Sequence, residues 1–130
     1  MFDFDKTPIN RTLGIRLVQS GSDGGEVSLE DCSAYTQEGG VVHGGILTTL
    51  ADTAAVYAIL PDLPTGKRMT SIEFKMNFFR PGLANGGPLI GRSNFIKRGR
   101  KVNVCEAEVL QDDRLLAKGT FTYLVFDAED

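Results

Sequence analysis

The sequence predicts an α+β domain in which an antiparallel sheet packs against one long, buried helix. Three observations lead to this prediction: one helical stretch at residues 45–59, strand-like alternation of apolar and polar residues through the second half of the chain, and glycine clusters between these segments. A length of 130 residues with 42% hydrophobic residues suits a single domain, residues 1–130, with one core.

The predicted helix has an apolar face with helical spacing, formed by Ile46, Leu47, Leu50, Ala51, Ala54, Ala55 and Ala58. Pro61 ends it, because a proline ring clashes with a continuing helix. The many alanines leave little side-chain bulk, so the helix can lie close against a sheet. One helix cannot cover a flat sheet. We therefore expect the sheet to curl around the helix, or a second subunit to cover what remains exposed.

Six strands are predicted around this helix, two before it and four after it. They span residues 14–20, 26–32, 69–79, 88–98, 101–111 and 114–126, and a hairpin across Gly99 joins the fourth and fifth. Strand 69–79 alternates Ile72, Phe74, Met76 and Phe78 with polar residues, which predicts a half-buried strand. The last strand is predicted to bury one face, formed by Leu115, Ala117, Phe121, Tyr123 and Val125.

Composition excludes several classes of function. The net charge is −3 and the isoelectric point about 5.1, so the surface as a whole does not attract nucleic acid. No run approaches the roughly 18 apolar residues of a membrane span, and the first ten residues lack a signal-peptide pattern, so we expect a cytoplasmic protein. Cys32 and Cys105 are expected to be reduced. One histidine and two cysteines argue against a zinc site built from those ligands alone, and we expect no metal.

The charge is uneven along the chain. Four positive side chains fall within five residues, and without them the net charge of −3 becomes −7; they are Lys97, Arg98, Arg100 and Lys101. Such a basic turn on an acidic protein could bind a small molecule that carries phosphates. The alternative, equally weighted on charge alone, is a solvated hairpin end with Gly99 at the turn.

The most informative segment runs from Gln37 to Asp52. Gly44 and Gly45 lie where the helix begins, and amide N–H groups of a first helical turn lack internal partners. Glycine there lets a ligand approach the backbone, so this terminus could stabilise an oxyanion. The alternative is a flexible loop that enters a helix.

Two titratable side chains in this segment could take part in chemistry. Asp52 lies inside an apolar helix, where a carboxylate is costly to bury without a partner. It could be catalytic, or it could lie on an exposed face or hydrogen-bond to Thr48 or Thr49. His43 could act as a base, but a lone histidine beside a glycine turn more often hydrogen-bonds the backbone and fixes the loop.

The stretch VVHGGILTTLADTAAVYAI strongly resembles the helix signature of hotdog-fold acyl-CoA thioesterases, in the phenylacetic-acid-degradation thioesterase-like branch. The segments TLGIRLV, FKMNFFRPG and KRGRK fall in the order expected for that family, so the resemblance covers nearly the whole chain. It implies a hotdog fold, in which a curved antiparallel sheet wraps around one central helix. It also implies hydrolysis of an aryl- or fatty-acyl-CoA, with coenzyme A as part of the substrate and no separate cofactor.

The resemblance further assigns roles to individual residues. The Gly44 N–H would bind the thioester carbonyl, Asp52 would be the catalytic carboxylate, and Gln37 would orient the thioester or the water. Ser71 or Thr70 would supply a hydroxyl near Asp52, with the register uncertain by one residue. The basic turn, above all Arg98 and Arg100 around Gly99, would meet the phosphates of coenzyme A. Many relatives have Asn-Pro where this chain has Gln37-Glu38, so the substrate subclass is open.

Helix geometry makes a separate demand on this assignment. At about 1.5 Å per residue, Gly44 and Asp52 lie roughly 12 Å apart along one helix. If both are catalytic, antiparallel helices from two subunits must bring Gly44 of one toward Asp52 of the other. The resemblance implies the same arrangement, usually as a dimer of dimers. The alternatives are an acyl-CoA sensor that only binds, and a hotdog hydroxyacyl dehydratase, for which His43 lies too early in the chain to pair with Asp52.

Overall fold

The computed structural model describes residues 3–128, in which six strands form one antiparallel sheet. The strands are β1 Ile15–Gln19, β2 Glu26–Leu29, β3 Lys67–Phe78, β4 Leu89–Arg98, β5 Val102–Gln111 and β6 Arg114–Asp127. Their spatial order is β1-β2-β4-β5-β6-β3, so β1 and β3 are the two edges. The predicted class and order of these elements are confirmed.

The central helix, α2, spans Gly44–Ile59 and lies against the sheet, mainly on β4 and β5. Eight of its residues are buried: Leu47, Leu50, Ala51, Ala54, Ala55, Tyr57, Ala58 and Ile59. Helix and sheet approach closely at Gly91, where an added Cβ would lie 2.7 Å from the Leu50 carbonyl oxygen. The helix ends just before Pro61 as predicted, and a short 3₁₀ turn over Leu60–Asp62 follows.

Strand β3 was predicted to be half-buried, but most of its apolar side chains are exposed. Ile72, Phe74 and Phe78 are each more than half exposed. The reason is topological: β3 is an edge strand beyond the part of the sheet that α2 covers. A bulge between Ser71 and Glu73 also breaks the simple alternation. An apolar edge of the sheet is therefore left open in this chain.

Smaller corrections concern the strand ends and one missed helix. Strand β2 stops at Leu29 and β3 begins at Lys67. In β6, Leu116 rather than Leu115 is buried, because the pairing with β5 shifts register near that end. The six-residue helix α1, Pro8–Leu13, was too short to give a periodic signal, although Pro8 in its first turn and Gly14 in a left-handed conformation mark its ends.

One segment bears on the expectation about membrane spans. By length and composition alone, Gly44–Asp62 could cross a bilayer, since it has 19 residues and a mean hydropathy of 1.2. In this fold its apolar side chains instead pack inside the sheet. Cys32 and Cys105 are both free and buried.

Candidate active site

A tight loop leads into the amino end of α2 and carries Gln37. The backbone N–H of Gln37 donates to the Val41 carbonyl at 2.8 Å, and Gly39 and Gly40 between them have positive φ angles of 78° and 74°. Glycine suits these positions because other residues are strained there. The Val42 N–H donates to Gly82 at 2.8 Å, which ties the loop to the segment after β3. Gln37 is therefore exposed on an anchored loop, at the same end of the helix as Gly44.

His43 caps the helix. Its Nδ1 accepts a hydrogen bond of 2.8 Å from the Gly45 N–H, so this nitrogen carries no proton. An added Cβ at Gly45 would lie 2.9 Å from Nδ1, which explains why glycine follows here. The predicted backbone-fixing role of the histidine matches this geometry. The Gly45 N–H, a candidate substrate contact in the sequence, is already occupied.

The Gly44 N–H is left without an acceptor among residues 3–128. The next two amides have partners, since Gly45 donates to His43 Nδ1 and Ile46 donates to the His43 carbonyl at 2.9 Å. Gly44 opens the helix, where the peptide dipoles give partial positive charge. Its amide is therefore a free donor in the position that an oxyanion site needs.

Asp52 lies midway along α2, partly buried, and is held by Tyr123 on β6. The Tyr123 hydroxyl donates to Asp52 Oδ1 at 2.6 Å. Thr48 and Thr49, the partners considered from the sequence, instead donate to the carbonyls of Gly44 and Gly45 at 3.0 and 2.8 Å. Burial raises the pKa of Asp52, and the hydrogen bond from Tyr123 partly offsets that rise.

The strand register separates the two hydroxyl candidates on β3. Ser71 pairs with Tyr123, and Thr70 pairs with Leu124. Directly opposite residues of antiparallel strands point to the same face. Ser71 therefore lies on the Tyr123 face, toward Asp52, and Thr70 lies on the outer face. The register thus puts Ser71, and not Thr70, on the face of the sheet that carries Tyr123.

The basic turn lies beyond the carboxyl end of α2. Arg98 stacks on the Phe95 ring, with its guanidinium carbon 4.1 Å from the ring centre, and it donates to the Ser22 carbonyl at 2.7 Å. The Gly99 N–H donates to Asn103 at 3.2 Å. Within residues 3–128, the Arg100 side chain has no hydrogen-bond or ion-pair partner.

A cavity of about 800 Å³ opens beside this turn. Its apolar lining includes Ala58, Ile59, Phe95 and Val125, and its charged lining consists of the cations Lys67, Arg98, Arg100 and Lys101 and the carboxylates Asp62 and Asp127. Lys67 is paired with Asp127 at 2.6 Å. Apolar surface beside the excess positive charge of Arg98, Arg100 and Lys101 suits a ligand that joins an apolar body to an anionic group.

The candidate residues thus form three groups along the helix axis. Gln37, His43 and Gly44 lie at its amino end, Asp52 lies near its middle, held by the Tyr123 that pairs with Ser71, and the basic turn lies beyond its carboxyl end. Eight residues separate Gly44 from Asp52, about 12 Å of helix. A single chain therefore does not bring the free amide and the carboxylate to one reacting atom.

Tyr123 is the site residue that the sequence reasoning missed as a functional group. The alternation of β6 already placed it on the buried face. A buried tyrosine hydroxyl needs a hydrogen-bond partner, and so does a carboxylate inside an apolar helix. These two needs, considered together, could have paired Tyr123 with Asp52.

Comparisons with known proteins identify the family of the chain. A family profile described as the thioesterase superfamily matches residues 39–118. A Haemophilus influenzae protein named as an esterase is 28% identical over 104 residues, which cover 80% of this chain and 74% of the relative.

Solved structures give the same answer. A thioesterase family protein from Silicibacter pomeroyi is 28% identical, with a TM-score of 0.85. The match covers 96% of this chain and 93% of the Silicibacter chain. A mutant of the phenylacetic acid degradation protein from Thermus thermophilus is 25% identical with a TM-score of 0.80, covering 90% of this chain and 97% of its own. The family match spans more than half of the chain, and the sheet wrapped on one helix is the fold of that family. The chain belongs to the thioesterase superfamily and has its hotdog fold.

Proposed function

We propose that the protein is an acyl-CoA thioesterase that releases a free acid and coenzyme A. The observation that carries the proposal is Asp52, a partly buried carboxylate in an otherwise apolar helix. Pure binding of an acyl chain gains nothing from a charge in that position. A carboxylate there is useful if it activates water or attacks the thioester carbonyl itself.

The reaction suits a site with few polar groups. A thiol with a pKa of about 8.5 leaves readily as the thiolate, so the leaving group needs no strong acid. What remains is a base or nucleophile and a donor for the developing oxyanion. Asp52 supplies the first, and the free N–H of Gly44 supplies the second.

Two subunits would complete the site. Strand β3 is a 12-residue edge with exposed Ile72, Phe74 and Phe78, and an open apolar edge favours pairing with another strand. A second copy of β3, added antiparallel, would extend the sheet and set the two α2 helices antiparallel. Gly44 of one subunit would then approach Asp52 of the other, which removes the 12 Å problem.

Coenzyme A would extend from this shared site toward the basic turn. Along α2, Asp52 lies about 10 Å from Ile59, which lines the cavity beside that turn. Arg98 is already engaged by Phe95 and Ser22, so it would present a fixed charge. Arg100, with no partner in the described chain, is free to reach a phosphate.

Thiol release from a panel of aryl- and fatty-acyl-CoA esters tests this proposal. Turnover that Asp52→Asn abolishes would support it and would identify the acyl group. Tight binding of the esters without turnover would favour an acyl-CoA sensor. Hydration of an enoyl-CoA without thiol release would favour a dehydratase. Either of these two outcomes would refute the proposed reaction.

A further inference from the structure

The Asp52 carboxylate has two oxygens in different environments. Oδ1 accepts the 2.6 Å hydrogen bond from Tyr123, whose side chain is only 1% exposed. The same hydroxyl also lies 3.4 Å from the Asp52 backbone carbonyl. No residue in the described range 3–128 hydrogen-bonds to Oδ2. One oxygen is thus fixed by the core, and the other is available to a ligand.

Tyr123 is buried on a strand that is paired on both sides. It lies on β6 between Asn103 of β5 and Ser71 of β3, its paired residues on the two neighbouring strands. Asn103 is itself buried. Burial and the nearby carboxylate raise the pKa of Tyr123, so the phenol keeps its proton and remains a donor.

Few other titratable groups face Asp52 from the elements packed on α2. Strand β5 contributes Cys105, and burial raises the pKa of that thiol to about 11, so it is neutral. Strands β2 and β4 present Val27, Leu29 and the neutral Ser93, which donates to the Ala54 carbonyl.

The remaining charges lie farther away or on the other face. On β3, Glu73 and Lys75 pair with Thr122 and Thr120, which point to the outer face of β6. His43, the residue that caps α2, lies about 13 Å from Asp52 along the helix axis. Arg98 is engaged by the Phe95 ring and the Ser22 carbonyl. Tyr123 is therefore the one described group that contacts the carboxylate and favours its charged form.

We propose that Tyr123 is a positioning residue for the Asp52 carboxylate: its hydroxyl holds Oδ1 and so leaves Oδ2 as the oxygen that meets the thioester or the water. This inference rests on the proposed function for its catalytic meaning, but the coupling between the two side chains can be measured without turnover. The hydrogen bond from Tyr123 also lowers the pKa of Asp52, whereas burial raises it. Its removal should make Asp52 harder to ionise.

Two measurements test the proposal on Tyr123→Phe, which keeps the ring in the core. In ¹³C NMR titrations of the side-chain carboxyl, assigned by its absence in Asp52→Asn, the pKa of Asp52 should rise by about one unit. The acid limb of kcat/KM for an acyl-CoA ester should move to higher pH by the same amount. On the alkaline plateau kcat should still fall, by about tenfold, because the carboxylate loses its orientation.

Tyr57→Phe is the matched control. It also removes a buried tyrosine hydroxyl from the core, but that hydroxyl lies 3.4 Å from Thr7 and not near Asp52. In Tyr57→Phe, the titration curve of Asp52 and the acid limb of kcat/KM should be the same as in the wild type. If Tyr123→Phe fails to fold, 3-fluorotyrosine placed at Tyr123 gives a more acidic donor, which should instead lower the pKa of Asp52.

The outcomes separate this inference from the proposed function. An unchanged Asp52 titration in Tyr123→Phe, or a change equal to that in Tyr57→Phe, would overturn the positioning role. A shifted titration in a protein that hydrolyses no thioester would support the coupling and refute the proposed reaction. A shifted titration with a shifted acid limb supports both.

Discussion

His43 accepts a 2.8 Å hydrogen bond from the Gly45 N–H, and this contact determines which amide of the first helical turn is free. With Gly45 and Ile46 engaged by His43, the Gly44 N–H alone in that group has no acceptor among the described residues. The histidine thus acts as the helix cap, a role more often filled by serine, threonine, aspartate or asparagine. Its position next to the proposed oxyanion donor makes the cap important for the site.

Replacement of His43 should separate capping from proton transfer. His43→Ala removes the acceptor and should cost about 1 kcal/mol of unfolding free energy and lower kcat/KM. His43→Asn should restore most of both, because asparagine is a good cap. Thermal unfolding and steady-state kinetics on the two variants measure this. If Asn is as inactive as Ala while its stability is restored, the histidine is a base and the capping account is wrong.

Gly44→Pro should delete the proposed oxyanion donor while the helix is retained. Proline suits the first helical position, where its missing N–H breaks no helical bond. His43 before it already has the extended φ and ψ of −59° and 131° that proline prefers in its neighbour. We expect kcat to fall by about 10²–10³-fold.

Gly44→Ala is the control for that substitution, since it keeps the N–H. Its Cβ would meet the Phe78 ring at 3.4 Å, an ordinary contact. Circular dichroism should show both variants folded. Near-normal turnover in the proline variant would mean that another group binds the oxyanion.

Asp52→Asn should remove most turnover and leave ligand binding largely intact. The reason is that a neutral amide can neither attack nor accept a proton at neutral pH. Thiol release and binding of a non-hydrolysable acyl-CoA analogue measure the two effects. A variant that retains more than about a tenth of the wild-type rate, equivalent to 1.4 kcal/mol of barrier, would show that Asp52 is not the main catalyst.

The stability of this variant provides an internal check. Because burial raises the pKa of Asp52 above the value of the unfolded chain, the folded state binds its proton more tightly. The contribution of Asp52 to stability is therefore complete below its pKa in the unfolded chain, and it is lost as the pH rises through its pKa in the folded protein. At pH 7 Asp52→Asn should unfold at no lower temperature than the wild type, so lost activity there is not lost structure.

The basic turn should affect coenzyme binding and not the chemical step. Replacing Arg98 and Arg100 together by alanine should raise KM for CoA esters, with a weaker effect on short pantetheine thioesters that lack the nucleotide phosphates. Added salt should mimic the double variant, since the side chains are exposed. Equal losses on both kinds of substrate would place the phosphates elsewhere.

Local sequence patterns were sufficient to predict the strands and the central helix. The apolar face of 45–59 and the stop at Pro61 predicted α2 to within one residue at its start. Strand β3 shows the limit of such patterns: its alternation resembles that of a half-buried strand, yet Ile72 and Phe74 are exposed. Alternation reports that one face is apolar. It does not report whether that face is covered by the same chain or by another.

The candidate site was predictable where a residue type is costly in its position. Asp52 and the glycines at the helix start stood out for that reason. The hydrogen bond from Tyr123 to Asp52 joins residues 71 positions apart, so no local spacing encodes it. The engagement of Gly45 by His43 depends on a ring rotamer, and the choice of Ser71 over Thr70 depends on the β3–β6 register. These features depend on the three-dimensional fold and not on local sequence.

In the proposed dimer, one site takes Gly44 from one subunit and Asp52 from its partner. Refolding Gly44→Pro together with Asp52→Asn, each inactive alone, tests it most directly, with subunit exchange confirmed by mass spectrometry. A mixed dimer then carries one intact site, so activity should return to roughly a quarter of the wild-type level per subunit if pairing is random.

The reciprocal mixture gives the matching control. When a variant that carries both Gly44→Pro and Asp52→Asn is refolded with an equal amount of wild type, mixed dimers should be inactive, and again roughly a quarter of the activity should remain. A site built within one chain gives the opposite pair of results: no activity from the two single variants, and about half of the activity from the double variant mixed with wild type. That result would contradict the shared site even if the protein hydrolyses acyl-CoA esters.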